Sequence, residues 1–239
     1  MFVLITNDDG IDALGIQILR DAVRASLPGV DMAIVAPAEG MSQVGHRVTT
    51  AEPISVRRRG ESEWAVDGTP ADCVRLGAFA LLDRRPDWVF SGVNRGGNLG
   101  QDIPISGTLA AAREAAFHGI PSIGFSQRLR EGVERDWERT KTWTGEALRR
   151  LTADPPEPSS YWSVNFPDLN SYEKEPSFVR AVPETRPLPV SFEEVEPDRW
   201  RYTGVYGQRE KGPGSDVEVC FRGDISMSLL QMSEPDLSR

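Results

Sequence analysis

Two cysteines and two histidines in 239 residues leave little room for disulfide or soft-metal chemistry. Cys73 and Cys220 lie far apart and form no CxxC or mixed Cys/His cluster, so they read as small buried apolar residues of a reducing compartment. A Ser-His-Asp hydrolase would have to use His46 or His118. Gly40-Met41-Ser42 opens like a nucleophile elbow, but Val44 stands where the motif needs glycine, and the strand–turn–helix context is missing. No GxxxxGK[ST] loop and no GxGxxG fingerprint occurs. Positive charge is also short: 27 basic against 36 acidic residues give a net charge of −9. That balance disfavours a nucleic acid polymer or a membrane surface as partner, since both call for a basic footprint. The basic run Arg57-Arg58-Arg59 reads as the solvated face of a hairpin. No apolar stretch approaches a membrane span, and only a very short apolar run with no basic segment precedes Asn7. The expectation is a cytoplasmic protein.

What is present is alternation. Short apolar runs at Phe2–Thr6, Met32–Ala36, Trp88–Ser91, Ser122–Phe125 and Trp162–Phe166 are separated by helical patterns at Ile16–Ser26, Ala71–Leu82, Thr108–His118 and Trp137–Leu151. Such order predicts an α/β fold, with a mostly parallel sheet between helices and ligands bound beyond the carboxyl ends of its strands. Residues 47–66 interrupt the pattern and read as a β-hairpin insertion within a core spanning 1–167. From Asp168 the texture turns proline-rich, acidic and non-periodic, which predicts an extended arm over 168–213. A final strand, Asp224–Leu230, then returns within a C-terminal piece, 214–239.

The first run ends in "TNDDGIDALG". Neighbouring side chains of a strand point to opposite faces, so Asp8 and Asp9 can converge only where the strand has ended, a turn that Gly10 permits. Alone, the stretch is equally a solvated turn. Three further segments rich in glycine and small polar residues fall at expected strand ends: "APAEGMSQVGH", "SGVNRGGNLG" and "SGT" before an alanine-rich helix. Ser106 or Thr108 can cap that helix, whose free N–H groups and dipole favour an anion. Each motif also has a plain structural reading as a cap or a connecting loop. Together, carboxylates, a hydroxyl and amides point to a hard divalent cation, Mg²⁺, Mn²⁺ or Ca²⁺, beside an anion cradle, and so to phosphoryl chemistry.

The segments "TNDDGIDALGI", "VAPAEGMSQVGHRVT", "GTPADCVRLG", "SGVNRGGNLGQDIPISGTLAAAREA", "VNFP" and "GSDVEVCFRGDISMS" resemble, in order, those of the SurE family of stationary-phase survival proteins, metal-dependent nucleotidases. The resemblance implies a doubly wound, Rossmann-like three-layer core with a long β-hairpin arm used in homodimer or homotetramer assembly. It implies hydrolysis of nucleoside 5′-monophosphates, and in some relatives 3′-monophosphates or short polyphosphate. It carries one divalent metal per subunit onto Asp8, Asp9, Ser42 and Asn94, with Asp8 and Asp9 also catalytic. Phosphate contacts fall on Asn98, Ser106, Gly107 and Thr108. Gln43 and Ile105 depart from the residues usual in the family. A metal-bound water and a covalent aspartyl-phosphate are both open as mechanisms. The alternative from a different class is a metal-stabilised nucleotide-binding or stress-signalling module without turnover.

Overall fold

The computed structural model describes residues 1–129, 132, 136–168 and 175–232. Residues 169–174 of the expected arm and 233–239 of the expected tail lie outside the described residues. In chain order the strands are β1 (Phe2–Thr6), β2 (Asp31–Pro37), β3 (Val56–Gly60), β4 (Glu63–Val66), β5 (Trp88–Asn94), β6 (Ser122–Gln127), β7 (Ser160–Phe166), β8 (Phe178–Arg180), β9 (Phe192–Glu196), β10 (Arg199–Tyr202) and β11 (Ile225–Gln231). The helices are α1 (Leu14–Ser26), α2 (Pro70–Leu76), α3 (Gly107–Phe117), α4 (Trp137–Thr152) and α5 (Asp216–Phe221).

Alternation along the central strands divides the core in two. Val3 and Ile5 of β1, Phe90 of β5 and Phe125 of β6 point to the face covered by α1 and α4, whereas Leu4 and Val89 point to the face covered by α2 and α3. The result is the expected three-layer α/β architecture around a nine-stranded sheet of order β3-β4-β2-β1-β5-β6-β7-β11-β8. Strands β4, β2, β1, β5, β6 and β7 are mutually parallel. β3 and β11 run antiparallel to β4 and β7, and the short β8 adds to β11. A separate two-stranded hairpin, β9–β10, forms the C-terminal arm. From β1 the chain moves to β2 on one side, then returns to β5 on the other, so the topological switch point lies between β1 and β5.

Two local features differ from the sequence pattern. The expected single helix over Ala71–Leu82 is α2 followed by a π-helical turn at Gly77–Leu81. The backbone there presses on β1: a Cβ at Gly77 would lie 2.8 Å from Leu4 Cδ2. Secondly, α3 and α4 both connect adjacent parallel strands in the same direction yet lie on opposite faces of the sheet. One of these crossovers is therefore left-handed, against a right-handed rule obeyed in about 98% of cases.

Helix α3 is buried nearly throughout, its alanines letting it lie close to the sheet. On its inner side sits Glu114, only 1% exposed. Its Oε2 meets Nε2 of His46 at 2.6 Å, and its Oε1 accepts from Arg75 Nε at 2.5 Å and meets His118 Nε2 at 2.9 Å. Arg113 Nε donates to Nδ1 of His46 at 2.9 Å, so Nδ1 is the acceptor and Nε2–H is the donor to Glu114. Burial pushes the Glu114 carboxyl up, but the bonds from His46, Arg75 and His118 outweigh it and hold it at about 2, below the ordinary 4.5. A folded value below the unfolded one contributes stability that is present above about pH 4.5 and lost as pH falls toward about 2. Glu114→Gln is thus expected to cost roughly 3 kcal/mol at pH 7 in urea unfolding. The gap from the parent protein should close as pH drops through that window, and a gap independent of pH would refute this account.

Candidate functional site

Three loops at the carboxyl ends of the parallel strands β1, β2 and β5 meet at the switch point. After β1 the chain turns at once: Asn7 Nδ2 donates to Gly10 O at 2.7 Å, and Gly10 takes φ +99°, a conformation L side chains rarely adopt. The turn leaves Asp8 and Asp9 outside the pleat, where both line one cleft of about 620 Å³. The loop after β2 joins them through Met41 N–H, which donates to Asp8 O at 2.7 Å, and brings Ser42 to the same cleft. Gln43, next to it, holds φ +57°, the left-handed region in which glycine is more at ease.

Asn94 is the last residue of β5. The register of β5 against β6 shifts between Ser91 and Asn94, with Gly92 at φ +127°, and this irregularity re-aims the strand end toward the cleft. Asn94 Nδ2 donates to Gly96 O at 2.9 Å, leaving Oδ1 as the atom for a ligand. The N–H of Arg95 donates to Asp9 Oδ2 at 3.0 Å.

Of the phosphate residues implied by the resemblance, Asn98 and Ser106 line the cleft, while Gly107 and Thr108 lie behind it. Thr108, fully buried, donates its hydroxyl to Asp8 Oδ1 at 2.6 Å. Gly107 must lack a side chain, since a Cβ there would lie 2.8 Å from Asp8 Cβ. Ser106 caps α3 by accepting from Leu109 N–H at 3.1 Å. Asn98 is fixed by Asn165, whose Oδ1 accepts from its N–H at 2.8 Å, and by Ser126, whose Oγ accepts from its Nδ2 at 2.7 Å. The arrangement brings Asp8, Asp9, Ser42, Asn94, Asn98 and Ser106 together, with Gly107 and Thr108 supporting Asp8.

Desolvation by burial raises the Asp8 carboxyl to about 6, with Asp9's negative charge adding to the rise and the Thr108 hydrogen bond opposing it. A second charge beside a buried carboxylate is the electrostatic setting that a cation relieves. Among the described residues no three His, Cys, Asp or Glu side chains gather as a metal cluster. The donor set is instead all oxygen: two carboxylates, a hydroxyl and an amide carbonyl, the chemistry of a hard divalent ion. These residues fit such an ion.

Sequence reasoning missed the opposite wall of the cleft. Leu188, Pro189, Tyr202, Val205 and Tyr206 come from the arm, and Arg95 and Asp102 from the loop after β5. Tyr206 Oη donates to Asp102 Oδ2 at 2.9 Å, and the buried Arg209 donates to the same atom at 2.7 Å and to Leu99 O at 3.0 Å. Arg95 and Asp102 stand inside or beside a recognisable motif. No periodicity marks the arm residues.

The chain matches the family model described as "Survival protein SurE" over residues 3–186. It is 45% identical over 232 residues to a putative 5′-nucleotidase of Nostoc sp. (strain PCC 7120), covering 97% of this chain and 100% of that protein. It is 37% identical to the 5′-nucleotidase SurE of Paramagnetospirillum magneticum, covering 95% and 88%. The crystal structure of the SurE protein from Aquifex aeolicus superposes with a TM-score of 0.86 at 30% identity, over 99% of this chain and 95% of that one. A central sheet with its switch point at the paired aspartates, and sequence agreement along its length, place this chain in the SurE family of survival proteins.

Proposed function

We propose that this protein is a divalent-metal-dependent 5′-nucleotidase that hydrolyses nucleoside monophosphates to nucleoside and phosphate. The observation that carries the reading is the convergence of Asp8, Asp9, Ser42 and Asn94 with the N-terminal turn of α3 on one cleft. Asp8 and Asp9, with Ser42 Oγ and Asn94 Oδ1, would hold the ion. When bound, Mg²⁺, Mn²⁺ or Ca²⁺ supplies charge for a phosphoryl oxygen and lowers the pKa of a water ligand. The chain's own part is positioning. The Ser106 hydroxyl and the Asn98 amide at the cleft would face the phosphate oxygens, the positive end of α3 behind them would add its dipole, and Arg95 offers a cation at the cleft wall. The burial of Asp8 and the hold of Thr108 on its Oδ1 support a ligand role over that of a mobile nucleophile, and so favour water over an aspartyl-phosphate. A single phosphate cradle and no P-loop favour monophosphates over triphosphates, with 3′-monophosphates and short polyphosphate as secondary substrates.

The arm supports a second element of the reading, assembly into a homodimer or homotetramer. Phe192 and Trp200 are 57% and 63% exposed on a two-stranded hairpin, a structure marginal in water by itself, and Val190 just before it is 65% exposed. No helix among the described residues is long and apolar enough to cross a membrane.

Phosphate release from nucleoside 5′-monophosphates is expected with Mn²⁺ and should vanish with chelator. Metal-independent turnover or a preference for triphosphates would overturn the reading, and nucleotide binding without release would favour the signalling module. Asn94→Asp provides a sharper check. Two carboxylates and one divalent ion sum to about zero charge, whereas a third carboxylate leaves about −1 facing a phosphate dianion. At about 4 Å and an effective dielectric of about 20, that charge is worth on the order of several kcal/mol before screening. Asn94→Asp should therefore retain metal in calorimetric titration and lose kcat/KM, whereas Asp9→Asn should lose metal itself. For the arm, light scattering should find an oligomer that Phe192→Glu with Trp200→Glu reduces in size; a strictly monomeric parent would exclude it.

A further inference from the structure

The two walls of the cleft differ in chemistry. The strand-end loops contribute carboxylates, amides and hydroxyls, while the arm contributes Leu188, Pro189, Tyr202, Val205 and Tyr206. A phosphate group and one ion need only the first wall, yet the cleft, at about 620 Å³, has the size of a small-molecule site. Ile105, beside Ser106, continues the apolar lining onto the loop that leads into α3.

The polar groups on the arm side are already committed. Tyr206 Oη is spent on Asp102, which also accepts from Arg209 and, at 3.3 Å, from Leu99 N–H. The Tyr206 ring carries the Arg209 guanidinium 4.7 Å from its centroid and stacks with Phe221 at 6.1 Å. It is a fixed post. Tyr202 is different: Phe192 meets it edge-on at 5.5 Å, its hydroxyl reaches Pro189 O at 3.4 Å, and 54% of the residue is exposed. Its hydroxyl also folds over Gly204, where a Cβ would lie 2.1 Å away. The ring is thus held at the cleft by its edge and its hydroxyl.

Resting on the nucleotidase reading above, we propose that the arm wall is the subsite for the nucleobase, with Tyr202 as its stacking residue. Such a wall recognises the π face of a base and not its hydrogen-bonding edge. The protein therefore favours nucleotides over sugar phosphates while discriminating weakly between one base and another. Every base has a π face, and base–aromatic stacking is lost on truncation to alanine at a cost of about fivefold or more in affinity.

The test compares kcat/KM for adenosine, guanosine and cytidine 5′-monophosphates with that for ribose 5-phosphate, all with Mn²⁺, in the parent protein, Tyr202→Ala and Tyr202→Phe. In the parent, the nucleotides should exceed ribose 5-phosphate by about tenfold or more and lie within about tenfold of one another. Tyr202→Ala should shrink the nucleotide-to-sugar ratio at least about fivefold, and Tyr202→Phe should preserve it. A parent enzyme that turns over ribose 5-phosphate as well as nucleotides, or a ratio unmoved in Tyr202→Ala, overturns the subsite and leaves the phosphatase reading intact. If no phosphate ester is hydrolysed, the nucleotidase reading fails, and saturation-transfer NMR with adenosine in chelator decides the subsite alone. Binding by the parent that Tyr202→Ala loses supports it; no binding by the parent refutes it.

Discussion

The hydrogen bond from Thr108 to Asp8 joins residues 100 positions apart and sets the geometry of everything around it. It ties the turn after the central strand to the first turn of α3, with Gly107 packed so closely on Asp8 that no side chain fits between them. A carboxylate in that position is buried and sits beside a second one, so its charge must be met from outside the pair. One neutral donor and the positive end of a helix meet it only in part. The same deficit that raises the Asp8 carboxyl to about 6 is what a divalent ion would fill.

The opposite flank of α3 carries the second constraint. Glu114, about two turns along α3 from the Ser106 cap, gathers His46, Arg75 and His118, and His46 belongs to the loop that bears Ser42. That loop is pinned three times: by Met41 to Asp8, by Gly45 to Ile105 at 3.0 Å, and by His46 to Glu114. Asp8 and Ser42, although 34 positions apart in number, are thereby referred to one rigid helix. A charged group so fully buried is tolerable because every one of its oxygens is satisfied, and a partly satisfied one would be destabilising.

Much of this was legible in the residues. The central strands and all of the longer helices follow from periodicity, whereas Asp8, Asp9, Ser42 and Asn94 stand out as a set through the resemblance to the SurE segments, since each of their motifs taken alone reads equally as a turn or a connecting loop. What escaped has physical reasons. Helix α5 has only 6 residues, too few for a periodic signal. The break after α2 answers to contact with Leu4, which no local rule registers. The left-handed crossover reflects which face of the sheet α4 covers, a choice made by the whole core around Trp143 and Leu148. The arm wall of the cleft depends on Arg209, whose partners Asp102 and Leu99 lie more than a hundred residues earlier, in sequence with no pattern to project across that distance.

A net charge of −9 is by itself ill-suited to a phosphate dianion, and the cleft shows how the two are compatible. Exposed charges more than about 8 Å away are largely screened at physiological salt, so the sum over the chain matters little at the site. What counts is the local set. Asp102, the third carboxylate of the lining, is neutralised by the buried Arg209 and hydrogen-bonded by Tyr206. Among the described residues Arg95 forms no ion pair with a carboxylate, its backbone N–H rather than its guanidinium being what touches Asp9. Asp8 and Asp9 are left as the negative charge that a cation would balance, and the N-terminal turn of α3 faces them with its dipole. The same arm that closes the cleft thus also removes, through Arg209, the one charge that would otherwise repel the substrate whichever ion were bound.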